Sequence, residues 1–200
     1  MTNRREFLRI GIATGAWPLA SRAAFAAAAP ASPVPLHKVV YDARFGDSVA
    51  FAKRARELGM PVHEIEGDIT ALWYHELDSR WRHRAASDEP VAVAGLTAHG
   101  ALFCLERLAW DQRMRVVFRA EHAAAESGSI EHRLEGPLGM LQAALGLEAA
   151  GRRWAPRMAD VIADCPQGRI EISKARVAAA GAEPGAEALY TWVIAPAGRA

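Results

Sequence analysis

Apolar positions recur along this chain with two periods, one near two and one near 3.6, and the switches between them mark its elements. The stretch PVAVAGLTAHGALFCLERLAWDQRMRVVFRAEH, from Pro90 to His122, is the most informative. An apolar run over 91–94 breaks at Gly95, and a polar turn Thr97-Ala98-His99-Gly100 follows. An amphipathic helix then runs to about residue 112, and 115–119 resumes a β-rich pattern. Strand, loop, helix, strand is the unit of a parallel sheet, because return to a neighbouring parallel strand needs a crossover of this length.

The preceding chain repeats the alternation. Residues 39–41 form a short strand closed by Asp42-Ala43-Arg44, and Asp47 caps a helix whose apolar positions Phe51, Ala52, Ala55 and Leu58 share one face. Gly59 ends that helix, and Pro61 prevents its continuation. A second strand covers 62–65. After the Gly67-Asp68 turn, Asp68 caps a second helix striped by Ile69, Leu72, Trp73, Leu77 and Trp81, which reads as core with an aromatic cofactor platform as the alternative. A fourth strand covers 116–118.

Beyond Ala123 the pattern changes. Residues 126–129 form a turn cluster and 130–134 a short strand. Pro137 is the first residue of a helix reaching 150. That helix carries Leu138, Met140, Leu141, Leu145 and Leu147 against a single charge, Glu148, so it is either buried or faces a partner. Pro156 opens a further short helix. Ile170 and Ile172 alternate in a strand, and 189–194 forms the last one. The Gly/Ala-rich insert 174–188 between them reads as a long hairpin loop, so that these two strands pair antiparallel. No internal repeat is present. The fold expected is α/β, with a Rossmann-like or flavodoxin-like, mainly parallel open sheet and helices on both faces. A C-terminal helical pair and antiparallel strands complete it.

With 200 residues, about half of them apolar, the chain can build one domain with a substantial core. The net charge of +1 hides an asymmetry: Arg4, Arg5, Arg9 and Arg22 face only Glu6 in the first 26 residues. Without that segment, 20 basic residues stand against 22 acidic ones. This balance offers no electrostatic attraction for nucleic acid or an anionic membrane.

The basic segment reads Asn3-Arg4-Arg5-Glu6-Phe7-Leu8-Arg9, followed by a modestly apolar stretch over 10–20, Arg22 and an Ala-rich tail. It resembles a twin-arginine (Tat) signal peptide, with Asn3 where that motif has Ser or Thr and Arg9 where it often has Lys. Ala24-Phe25-Ala26 supplies small residues at the positions a signal peptidase reads, which puts the mature start near Ala27. The apolar stretch, interrupted by Gly11, Gly15 and Pro18, is too short for a stable span of ~20 residues. The organisation expected is a signal peptide over 1–26, a flexible tether over 27–36 and one α/β domain over 37–200. The resemblance implies export after folding, with the Tat translocase as transient partner and a periplasmic or secreted destination. It also implies a bound cofactor or a co-exported protein partner.

In an open α/β sheet, ligands bind outside the carboxyl ends of the strands. The residues expected there are Asp42 and Arg44, Gly67 and Asp68, Thr97 and His99, then Glu121 and His122. Backbone amides opening the third helix, beside Thr97 and His99, suit a carboxylate or phosphate. The plainer alternative has Thr97 capping that helix and His99 packed or solvated. Nucleotide motifs are incomplete: residues 42–47 hold one glycine rather than Gly-x-Gly-x-x-Gly. Gly95 and Gly100 have P-loop spacing, but Ala101-Leu102 stand where Lys and Ser/Thr are needed. A Gly-x-Ser-x-Gly elbow is also lacking.

No complete metal motif exists. Glu121-His122 and Glu131-His132 are adjacent pairs ten residues apart, and on neighbouring strands His122 and His132 would share a face as two ligands needing a third. Solvated strand ends are the alternative. Cys104, beside an apolar helix face, reads as a buried thiol, and Cys165 is its one candidate disulfide partner. Two functions follow. The first is a Tat-exported, non-catalytic accessory subunit or small-ligand binding module. The second is a small periplasmic enzyme using His99 or His122 as general base, oriented by Asp42 or Asp68, at the carboxyl ends of the parallel strands.

Overall fold

The computed structural model describes residues 33–84, 90–166, 171–181 and 185–197. The expected signal motif Arg4, Arg5, Phe7 and Leu8, the expected cleavage position near Ala27 and Ile170 lie outside the described residues. In chain order the elements are β1 (Leu36–Asp42), α1 (Gly46–Glu57), β2 (Val62–Ile65), α2 (Thr70–Leu72) and a π turn (Trp73–Leu77). Then come α3 (Asp78–Arg82), β3 (Ala92–Ala98), α4 (His99–Asp111), β4 (Met114–Ala124) and β5 (Ser129–Pro137). The last are α5 (Leu138–Ala144), α6 (Leu147–Ala150), a 3-10 turn (Gly151–Arg153), α7 (Trp154–Ala163), β6 (Ile172–Ala180) and β7 (Leu189–Pro196).

The seven strands form one sheet in the order β2-β1-β3-β7-β4-β5-β6. The expectation of a mainly parallel sheet is corrected: β1 runs parallel to β2 and β3, while β3-β7, β7-β4, β4-β5 and β5-β6 are antiparallel. The fold is therefore α/β with a mixed sheet. The expected pairing of the last two strands also fails. β6 pairs with β5 over its full length, from Ser129↔Ala180 to Pro137↔Ile172, so residues 174–180 of the supposed hairpin loop are strand. β7 instead inserts between β3 and β4.

Helix placement follows from connection handedness. β1-α1-β2 steps one way along the sheet and β2-α2-α3-β3 steps back past β1, so right-handed crossovers send their helices to opposite faces. On one face Phe51 and Ala55 of α1 join Leu141, Trp154, Met158 and Ile162 around Phe118 and Leu134. On the other, Leu72, Trp73, Leu77 and Trp81 join Leu102 and Leu105 of α4 against Trp192 and Ile194. β3, covered on both faces, is buried at all seven positions. β5 is covered on one face and alternates, with Ile130, His132 and Leu134 inside and Glu131, Arg133 and Glu135 outside.

Two local features refine the sequence pattern. Steps of four from Trp73 to Leu77 to Trp81 overshoot a 3.6-residue turn, and the π turn takes up an extra residue so that all three stay inward. Trp73 and Trp81 pack edge to face at 5.7 Å, and Trp81 donates its Nε1–H to the Val91 carbonyl at 2.8 Å, which makes them core. The helix expected over 137–150 is split into α5 and α6 around Leu145 and Gly146. Gly146 is a poor helix former, and the Arg157 guanidinium donates to the Ala143 carbonyl at 3.0 Å, capping α5. At the start of the domain, Val34 donates its N–H to the Cys165 carbonyl at 2.7 Å, so the last residues of the expected tether already touch the fold.

Candidate functional site

The sheet changes direction between the carboxyl ends of β1 and β3, the crevice where open α/β sheets take ligands. Here the chain fills that crevice itself. Ser48, buried in the first turn of α1, donates to the Leu96 carbonyl of β3 and accepts the Asp42 N–H of β1 at 2.8 Å. The Asp42 carboxylate is buried and holds Arg44 through both oxygens, at 2.9 and 2.7 Å. That guanidinium lies against Gly67, where a Cβ would come within 2.7 Å of Arg44 Cζ. Asp68 accepts the Thr70 N–H at 2.8 Å, an Asx-type turn one residue ahead of the N-cap position, which Ile69 holds instead of the expected Asp68.

Thr97 differs from both sequence readings. β3 runs through Gly95 to Ala98, so Thr97 is a fully buried strand residue rather than a helix cap, and its Oγ1 accepts the Trp192 Nε1–H at 3.1 Å. His99 begins α4, exposed, its ring 5.2 Å from Tyr190 and 6.0 Å from Phe103. It borders a shallow groove of about 640 Å³ with Arg119, Glu121, Arg133, Lys174 and Arg176. Charges on that face are paired within the chain: Arg119 with Glu106, Arg133 with Glu121 and Glu131, and Arg176 with Glu131. Asp42 lines neither this groove nor the cavity that contains His122. The expected His/Asp acid-base pair is not assembled.

His122 sits elsewhere. Neighbouring residues of a strand point to opposite faces, so Glu121 belongs to the groove and His122 to the helix-covered side, where only 4% of it is exposed. The ladder sets His122 opposite His132, which is fully buried, and the two Nδ1 atoms are 2.7 Å apart. Trp154 of α7 lies over both rings, with centroids 4.2 Å from His122 and 5.4 Å from His132. His122 Nε2 is 2.8 Å from Thr191 Oγ1 on β7. The reading of these histidines as solvated strand ends is therefore corrected.

The hydrogen bonds fix a proton arrangement. His132 Nε2 is buried with no partner among the described residues, and the tautomer that avoids an orphaned N–H there puts the proton on Nδ1. His132 Nδ1–H then donates to His122 Nδ1, and His122 Nε2–H donates to Thr191. Burial holds His122 well below the ordinary histidine pKa, with repulsion from a charged His132 adding to it. Burial alone pulls His132 down to about 4. Both imidazoles are neutral at pH 7.

His122 and Trp154 floor a cavity of about 270 Å³ at the carboxyl-end edge of the sheet. Asp47 enters it from α1, Ala124 and Ile130 from the β4–β5 hairpin, Arg152 from the 3-10 turn, and Glu187 and Leu189 from the start of β7. Among the site residues expected from sequence, this cavity takes in His122 alone; Asp42, Arg44, Asp68 and Thr97 form internal hydrogen bonds, and His99 is on the other groove. Trp154, Arg152 and Glu187 were missed because nothing local marks them. The Glu-His pairs, by contrast, carried a signal in their spacing.

As built, the cavity suits binding better than proton transfer. Both His122 nitrogens are engaged inside the protein, leaving no free lone pair for a substrate proton. No group of three or more His, Cys, Asp or Glu able to hold a metal occurs among the described residues. Cys104 is exposed rather than buried, Cys165 is buried with its thiol pushed up to about 12, and the two form no disulfide. No described helix is long and apolar enough to cross a membrane. Searches of protein-family models, curated proteins and solved structures found no match to this chain.

Proposed function

We propose that this protein is a Tat-exported small-ligand binding module of the periplasm, and that its ligand occupies the cavity over Trp154 and His122. The observation that carries the reading is convergence: residues from α1, β4, β5, the 3-10 turn, α7 and β7, distant in sequence, meet around one concave space at the sheet edge. The engaged, neutral His122–His132 pair supports recognition over acid-base turnover. Arg4, Arg5, Phe7 and Leu8 support export of the folded domain.

Native mass spectrometry of the tagged protein, purified from the periplasm of its native host, tests this directly. A small-molecule adduct is expected, and Ala186→Trp, at the cavity lining, should remove it. Bare protein in both forms would sink the proposal. An accessory-subunit role is the second reading, favoured by Leu138 and Leu145, which are 59% and 58% exposed and lie at the start and the C-cap of α5, two turns apart. That reading expects a co-purified partner chain lost on Leu145→Asp, with the small-molecule adduct unaffected.

A further inference from the structure

We infer that the outer face of α4 and the turn after it dock an acidic segment of a partner protein, its carboxylates on Arg107, Arg113 and Arg115. This surface lies on the face of the sheet opposite α5 and is independent of the cavity over Trp154. Unpaired charge, exposed aromatic surface and backbone strain meet there.

Arg107 lies over Phe103 and Trp110, with Cζ 5.3 and 4.7 Å from the ring centroids, and Arg115 reaches the same indole from β4 at 5.8 Å. Stacking on a ring fixes a guanidinium plane and leaves its edge, where the N–H donors point, to a planar acceptor. None of Arg107, Arg113 and Arg115 forms an ion pair with a carboxylate among the described residues, and Glu106, next to Arg107 in the chain, is taken by Arg119 at 2.6 Å. Phe103 and Trp110, two turns apart on one stripe of α4, are each 47% exposed. Exposed tryptophan between arginines is the composition that carries binding energy in protein contacts. Beyond residue 26 the chain holds 20 basic and 22 acidic residues, so its overall field does not draw an extended polyanion or an anionic bilayer. A short acidic segment meets only the local charge.

Arg113 supplies an independent argument. It follows Gln112, the C-cap residue of α4, and takes φ of +53°, the one non-glycine residue in the left-handed region among the described residues. α1 closes with the same turn: Gly59 donates its N–H to the Arg56 carbonyl at 2.9 Å, as Arg113 does to the Trp110 carbonyl at 3.0 Å. In α1 the residue is glycine, which adopts this backbone without strain. In α4 an exposed arginine stands there instead, with no ion pair to hold it, which fits a side chain kept for what it binds. The negative pole of the helix does not account for it. Arg115 already serves that pole, its Nη1 donating to the Trp110 carbonyl at 3.3 Å.

Fluorescence polarisation on the mature protein tests the inference, with a labelled peptide of repeated Asp-Glu-Leu as probe and its Asn-Gln-Leu counterpart as control. The acidic peptide is expected to bind, and the amide peptide to bind about tenfold more weakly or worse. Arg107→Gln and Arg113→Gly should each weaken the acidic peptide by about tenfold. Lys53→Gln, exposed on α1 at the opposite face, should change nothing. Arg113→Gly has a second readout: relief of the left-handed strain should raise the urea midpoint even as affinity falls. An arginine kept for structure would instead lose stability on replacement. Equal binding of both peptides, an equal loss in Lys53→Gln, or no binding at all overturns the proposal. So does sedimentation with phosphatidylglycerol vesicles that Arg107→Gln abolishes, which would make the occupant a lipid surface. A dimer lost in Arg107→Gln would overturn it too, in favour of a second copy of this chain.

Discussion

At the residue scale, the His122–His132 pair is a stability device with a defined sign. Both groups have folded-state pKa values below the unfolded one, so the unfolded chain binds more protons between the two. Their contribution is therefore complete above pH 6.5 and is lost as pH falls toward about 4. For His132 alone, the loss between pH 6.5 and 5 amounts to about 1.5 kcal/mol. Urea unfolding at those two pH values should show it, and His132→Leu should remove that part of the slope. His37 and His63, also lowered by burial, act in the same direction and persist in the variant. A slope unchanged in His132→Leu would mean that His132 is protonated in the native state. The sequence made this pair visible through two Glu-His dipeptides ten residues apart. Its burial was not visible, because the covering ring is Trp154, and the chain does not say where α7 will land.

At the scale of elements, the sequence located most strands and helices but misjudged where they stop. Gly95 was read as the end of the third strand, whereas it is the middle of β3, kept free of a side chain by its neighbours. A Cβ there would lie 2.5 Å from Trp192 Cζ2 and 2.8 Å from the Val40 carbonyl oxygen. Neither can yield cheaply, since one is a buried ring held by Thr97 and the other is backbone of the adjacent strand. Gly95→Ala should cost roughly 1–3 kcal/mol, the usual cost of overpacking. A lowered urea midpoint would register it, and an unchanged midpoint would show that β1 and β3 separate more easily than this packing implies. β6 illustrates the opposite error: Ala175, Ala178, Ala179 and Ala180 have little intrinsic strand preference, yet the β5 ladder holds them extended.

At the scale of the whole molecule, the proposed export signal lies in the first 26 residues of the sequence and the α/β fold in the residues that follow. The proposed Tat route makes a sharp prediction. Replacing Arg4 and Arg5 together with Lys should retain the protein in the cytoplasm at its full 200-residue mass, whereas the unaltered chain should reach the periplasm beginning near Ala27. Periplasmic recovery of the double variant at undiminished yield would refute the route.

What the sequence determined by itself is the set of features carried by local physics. These include the alternation of periods that makes an α/β fold, the stripe from Ile69 to Trp81, the Asp68 turn, the charge balance of the domain and the basic N-terminal motif. Tertiary structure alone decided which strands became neighbours. β7 entered between β3 and β4, and β6 joined β5, because the chain's ends close the sheet through contacts between residues far apart in sequence. Packing of α1 on β1 and β3 filled the crevice at Ser48 and Asp42 with internal hydrogen bonds, and residues from α1, the β4–β5 hairpin, the 3-10 turn and the start of β7 met around the cavity beside His122. Local pattern fixes which face of an element is apolar; only packing fixes which partner meets it, and the candidate site is made of such meetings.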